Sequence, residues 1–185
     1  MATQPDYPLL TAEDFLDIDF GDRKAELDNG VIRIMPGGTA RHAAVQINII
    51  GALLQRLRGS GCRPYGADMA ARTRDYSVRY PDVSVYCDRG SASNDKSKAF
   101  DDPRVIFEVL SAGTARTDLR IKIEEYKALT SVDTIVFVDI ADERLRIVQR
   151  TGPNGWNDVG QDVPVDVSLP SLGIVLPHDE IFARD

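Results

Sequence analysis

The sequence is poor in the residues that mark several protein classes. It holds two cysteines, Cys62 and Cys87, and two histidines. The cysteines form no metal-spacing motif, and so few histidines argue against a structural zinc site. No stretch is long and apolar enough to span a bilayer. The opening residues, MATQPDYPLL, lack the basic and apolar regions of a secretory signal. Together these absences set the expectation of a cytoplasmic protein with no membrane partner. No repeat or linker divides the 185 residues, so 1–185 is expected to fold as one domain with a real core.

Positive charge is scarce as well. There are 22 Lys and Arg against 29 Asp and Glu, a net charge of −7. Nucleic-acid binding rests on cations that neutralise phosphates, so this balance counts against it. The distribution is uneven, however. Both ends of the chain are acidic, whereas residues 55–80 carry Arg56, Arg58, Arg63, Arg72, Arg74 and Arg79 against Asp68 and Asp75. That patch is either a solvated face or a surface for an anionic partner.

Along the chain, Thr11 caps a short helix beginning at Ala12. Lys24–Asp28 and Val31–Met35 flank Asn29-Gly30, a strong hairpin turn because both residues accept positive φ. Thr39 caps a long amphipathic helix, Ala40 to Arg58, with a stripe of Ile49, Ile50, Leu53, Leu54 and Leu57. His42 and Gln46 fall on that side near its start. Asp68–Thr73 and Val78–Tyr86 read as strands, the second entered through Pro81 with Asp82 at its mouth. Residues 88–102 are polar and read as a loop. Thr134–Asp139 and Arg144–Arg150 form a hairpin, with further strands near Trp156 and Val165. Pro170–Ile174 is expected to close the sheet, and Pro177–Phe182 to form a last helix.

The most informative stretch is Arg104 to Leu129, RVIFEVLSAGTARTDLRIKIEEYKAL. Val105-Ile106-Phe107 reads as a buried strand, and Glu108 interrupts it before Val109-Leu110 resume. A charge inside such a strand is costly unless paired or metal-bound. A small-residue loop follows, then a helix with Thr117 as its cap and Asp118 in its first turn. At about 100° per residue, Leu119, Ile123, Tyr126 and Leu129 share one face, and Lys122 projects into the same arc. Arg120, Glu124 and Lys127 point away. A strand carboxylate and a helix lysine therefore both aim inward, either as a buried ion pair or as functional groups.

The ordered set of Tyr80-Pro81-Asp82-Val83-Ser84, Glu108-Val109-Leu110-Ser111 and an inward lysine resembles the PD-(D/E)XK nuclease pattern. With Glu26-Leu27-Asp28-Asn29-Gly30, Arg41-His42, Asp118–Tyr126 and Ile135–Asp139, it resembles the Uma family of restriction endonuclease domains, over roughly residues 10–180. One departure stands out. Leu110 occupies the place of the pattern's lysine, and the resemblance implies that Lys122 has taken its role from the next helix.

The resemblance implies an α/β, restriction-endonuclease-like fold: a mixed central sheet flanked by helices, with an added antiparallel hairpin region. It implies Asp82, Glu108 and Lys122 as catalytic residues, with Glu26 and His42 at the rim of the site. Asp82 and Glu108 would bind Mg2+ or Mn2+, a hard cation that accepts two carboxylates and keeps several waters. The substrate would be DNA, met by Arg72, Arg74 and Arg79, and a homodimer would suit cutting of both strands. A binding module without catalysis, on the same fold, is the alternative that the acidic charge and the displaced lysine leave open. An enzyme for small phosphorylated substrates is a third, and would show a narrow pocket.

Overall fold

The computed structural model describes residues 8–88, 96–110 and 116–184, with the side chains of 116–118 outside the description. The expected cap at Thr117, the Asp118 side chain, the loop 111–115 and residues 89–95 of the loop 88–102 thus lie outside the described residues.

Two mixed sheets meet at the Tyr80-Pro81-Asp82 junction. The first is built from β1 (Ala25–Asp28), β2 (Val31–Ile34), β4 (Ala70–Arg74), β5 (Ser77–Arg79) and β7 (Ala99–Phe100), in the order β2-β1-β5-β4-β7. The β1–β2 hairpin turns at Asn29 and Gly30, with φ of 48° and 80°. Both angles are left-handed, as the Asn-Gly pair allows. The short helix α1 (Ala12–Leu16), capped by Thr11, packs Phe15 against Leu27 and Val78 on this sheet.

The second sheet contains β3 (Cys62–Gly66), β6 (Val83–Cys87), β8 (Val105–Leu110), β9 (Thr134–Asp139), β10 (Arg144–Arg150) and β11 (Trp156–Gln161), in the order β11-β10-β9-β8-β6-β3. Its β8–β9 pair is parallel and its other pairs are antiparallel. Strand alternation gives it two apolar faces. Val105, Phe107 and Val109 join Val83, Val85, Val136 and Val138 beneath helix α2 (Ala40–Arg56). Ile106, Ile135, Phe137 and Val148 lie on the opposite face with Ile123 and Tyr126 of helix α3 (Arg116–Ala128). Glu108 belongs by parity to the α3 face, which puts its carboxylate in front of Lys122.

The structure departs from the sequence reading in several places. Val78–Tyr86 is two strands, because Pro81 has no N–H to give a ladder and Tyr80–Asp82 cross from one sheet to the other. Pro170–Ile174 does not close the main sheet. It forms a 3-10 turn inside a separate hairpin of β12 (Val167–Leu169) and β13 (Ile174–Leu176), before helix α4 (His178–Phe182). Leu54 is 44% exposed and leaves the apolar stripe of α2. Cys62 and Cys87, facing partners across β3 and β6, form a disulfide. Such bonds are rare in a reducing cytoplasm. Among the described residues no helix is long and apolar enough to cross a membrane.

Candidate active site

The site lies where the two sheets join, and each element delivers one group. Asp82 immediately precedes β6. The antiparallel register Val83↔Phe107, continued by one residue, sets Asp82 across from Glu108. Asp82 Oδ2 accepts from the Val109 N–H at 2.7 Å, which caps the end of the strand pair. Asp82 Oδ1 lies 3.2 Å from His42 Nε2, at the start of α2. The Asp82 hydrogen bond raises the His42 pKa, against burial, which lowers it. Gln46, one helical turn on, donates to the Asp82 backbone carbonyl at 2.6 Å. The polar residues at the start of the α2 stripe therefore hold Asp82 in place.

Glu108 is nearly buried, and burial pushes its pKa up to about 7. Lys122 and the Tyr126 hydroxyl pull it down, while the charges of Asp82 and Glu26 push it up further. Tyr126 donates to Glu108 Oε1 at 2.5 Å, and Lys122 Nζ lies 3.4 Å from the same oxygen. Lys122 is held more closely by Glu26 Oε1, at 3.0 Å. Glu26 comes from β1 in the other sheet, and its Oε1 also accepts from the Tyr80 N–H at 3.2 Å. Lys122 thus bridges a carboxylate from each sheet.

Glu26 leads into a second cluster. Arg79, fully buried, contacts Glu26 at 3.4 Å, Asp28 at 2.9 Å and Glu125 at 2.7 Å. Thr73 donates to Glu125 at 3.1 Å, and Arg33 covers Asp28 from the surface. This position corrects one expectation. Arg79 cannot face a DNA backbone, because burial closes it to solvent and three carboxylates share its guanidinium. Arg72 is half-exposed and already bonded twice to Asp101, at 2.9 and 3.0 Å. Arg74 is exposed.

The structure brings Asp82, Glu108, Lys122, Glu26 and His42 together. Among the described residues, Arg79 touches that group only through Glu26, from within, and Arg72 and Arg74 form no hydrogen bond or ion pair with it. Glu125, Tyr126 as a hydrogen-bond donor, and Gln46 are further members that sequence reasoning did not assign. The signal for the first two was present. Lys122, Glu125 and Tyr126 are spaced i, i+3 and i+4, and so share one helical face.

Comparison with known proteins places the chain. The Uma2 family, described as "Putative restriction endonuclease", matches residues 12–177. The chain belongs to this family. Two uncharacterized proteins of Synechocystis are similar to it. One is 23% identical over 180 residues, covering 95% of this chain and 93% of the relative. The other is 25% identical over 171 residues, covering 89% and 96%. The fold is that of a crystal structure from Anabaena variabilis, described as "a putative nuclease belonging to DUF820". The TM-score is 0.77 at 17% identity, over 94% of this chain and 97% of that one.

Among the described residues of this Uma2 chain, no group of three or more His, Cys, Asp or Glu is arranged to hold a metal. Among the described buried residues, Glu26, Asp28, Glu108 and Glu125 share only Arg79 and Lys122 as buried cations. Burial, and after it the charges of Asp82 and Glu26, raise the Glu108 pKa to about 7.

Proposed function

We propose that this chain is a metal-dependent endonuclease that hydrolyses phosphodiester bonds in DNA. The observation that carries the reading is the meeting of Asp82, Glu108 and Lys122, from three elements, at the junction of the two sheets. Asp82 and Glu108 would hold Mg2+ or Mn2+. A bound cation of this kind lowers the pKa of a water and polarises a phosphoryl oxygen.

The remaining chemistry belongs to the side chains. Lys122, aimed by Glu26, presents its ammonium beside Glu108, where it can orient an attacking water and stabilise charge developing on phosphate. Tyr126 fixes the Glu108 carboxylate from behind. His42 and the Val109 N–H hold the Asp82 carboxylate at the strand mouth. Glu26 and His42 are positioning residues in this scheme. A homodimer would let two such sites cut both strands.

The test is cleavage of plasmid and oligonucleotide DNA with magnesium or manganese, comparing wild type with Asp82→Asn and Glu108→Gln. Loss of cleavage in both variants is expected, with calorimetric metal binding weakened in parallel. The rival reading, a binding module without catalysis, draws on the net charge of −7 and on the burial of Arg79. DNA binding without cleavage by the wild type, under every metal tried, would favour it.

A further inference from the structure

A cavity of about 360 Å³ opens on the α3 face of the six-stranded sheet, close to the proposed site. Its lining includes Leu110, Leu119, Phe137, Arg146 and Gly160, with Arg144 and the acidic residues Asp139 and Asp162. Three relations tie it to the site. Leu110 stands two residues beyond Glu108, on the same face of β8. Leu119 stands one turn before Lys122 on α3. Phe137 is the register partner of Glu108 across the parallel β8–β9 pair.

The register extends this row across the sheet. Glu108 pairs with Phe137, Phe137 with Arg146, and Arg146 with Gly160. Facing residues on neighbouring strands share one side, at about 4.8 Å per strand. Arg146 is thus roughly 10 Å from Glu108 along the row. A single nucleic-acid strand advances by a comparable distance in one or two nucleotides. The cavity is also within the usual size range for a small-molecule or cofactor pocket.

Its lining matches a nucleobase. Leu110 and Leu119 supply apolar contact. Asp158 fixes the Arg146 guanidinium through two hydrogen bonds of 2.8 Å, with that group 6.0 Å from the centre of the Phe137 ring. A guanidinium plane held this way is a stacking surface for a base. Arg144, more than half exposed and reaching Asp162 only at 3.5 Å, is loosely held and can turn to a phosphate.

We propose that this cavity receives one unstacked nucleobase of the DNA strand lying in the active site, one or two nucleotides from the bond that is cut. The proposal rests on the nuclease reading. It makes Leu119 and Arg146 determinants of which strand position is gripped.

Gly160 permits a clean test. A side chain added there meets no atom within 4 Å, and its backbone angle is not one that favours glycine. Facing Arg146, it would grow into the cavity. The probes are short single-stranded oligodeoxynucleotides carrying 2-aminopurine at successive positions, mixed with the full chain in calcium. With wild type, fluorescence is expected to change sharply at one or two adjacent positions. With Gly160→Phe the change should vanish and affinity fall on the order of 10–100-fold, the worth of one stacked base. Melting temperature and manganese affinity should match wild type, and Gly160→Ala should bind DNA as wild type does. Should Gly160→Phe melt early, Leu119→Trp fills the cavity from the opposite wall.

DNA bound with no position changed, or bound equally by the filled variants, overturns the proposal. Where cleavage still depends on Asp82 and Glu108, that result leaves the nuclease reading standing. Wild type that neither binds nor cuts DNA removes both.

Discussion

Two ends of one buried charge network behave differently. At the Arg79 end, a single guanidinium meets three carboxylates at 2.7–3.4 Å. Burial pushes the Asp28 carboxyl up, but Arg33 and Arg79 pull it below its ordinary value. At the Lys122 end, the contacts to Glu108 are 3.4 and 3.5 Å, and the Glu108 carboxyl is pushed up to about 7. The two ends are joined through Glu26. The difference teaches where function is to be sought. The Arg79 end is held by close hydrogen-bonded pairs and locks β1, β5 and α3 together. At the Lys122 end, burial raises the Glu108 pKa to about 7 although Lys122 opposes the shift, and such perturbed groups cluster at working sites.

The comparison breaks most visibly through Arg79. Arg79→Met leaves Glu125 and Asp28 buried without their shared cation. Removing one partner of a buried pair costs roughly 3–5 kcal/mol. Denaturant unfolding at pH 7 should show a loss of that size. A loss under 1 kcal/mol would mean that the two ends are not distinct, and that Arg79 is as loosely held as Lys122.

Glu108 should respond in the opposite direction. Its folded pKa of about 7 exceeds its ordinary value of 4.5. The native state therefore holds a proton that the unfolded chain releases. Stability falls as pH rises from 4.5 to about 7, and the deficit is complete above that. At 1.36 kcal/mol per unit, the ionised carboxylate costs on the order of 3 kcal/mol at pH 8. Glu108→Gln should thus be more stable than wild type at pH 8, and close to it at pH 4. A variant less stable than wild type at pH 8 would show that Glu108 is a structural partner of Lys122, like the acids around Arg79.

Much of this was legible in the sequence. Asn29-Gly30, the Thr39 cap and the Thr134–Asp139 and Arg144–Arg150 strands follow from local turn chemistry and periodicity. The inward turn of Glu108 and Lys122 was legible because a charge in an apolar row stands out. Their partners were legible only in part. The resemblance placed Glu26 at the rim of the site, but the hairpin by itself would look the same with a surface residue there. Arg79 sits in an arginine-rich run that reads as a basic face. Only the pairing of β1 with β5, and the packing of α3 beside them, turns Arg79 inward, and no local pattern encodes that. The break at Pro81 carried a signal, since proline cannot extend a central ladder. It was outweighed by the alternation of Val83 and Val85.

Lys122 sharpens the contrast through activity. In Lys122→Met, Glu26 keeps Arg79 and the Tyr80 N–H, while Glu108 can take up a proton. Melting temperature should therefore change little. Cleavage per folded molecule should drop by ~100-fold, as loss of a positioned electrostatic group does. A large fall in melting temperature with unchanged cleavage would remove Lys122 from the chemistry and make its end as structural as that of Arg79.

The smallest effect is expected at the outer edge of the structural end. Arg33 is 58% exposed in its side chain and bonds Asp28 from solvent, whereas Arg79 holds the same carboxylate from within. Exposed pairs contribute at most about 1 kcal/mol. Arg33→Met should therefore cost well under the Arg79 loss at pH 7. The sign of its pH dependence is fixed by Asp28. A carboxyl depressed below its ordinary 3.8 contributes stability that is present above that value, and is lost as pH falls through the folded value. The deficit of Arg33→Met should be constant at neutral pH and shrink towards zero in acid, where wild-type Asp28 is protonated too. Urea unfolding of both chains at pH 7 and near pH 3 measures it. A deficit as large as that of Arg79→Met would place Arg33 inside the buried cluster, and would extend the structural end of the network to the surface.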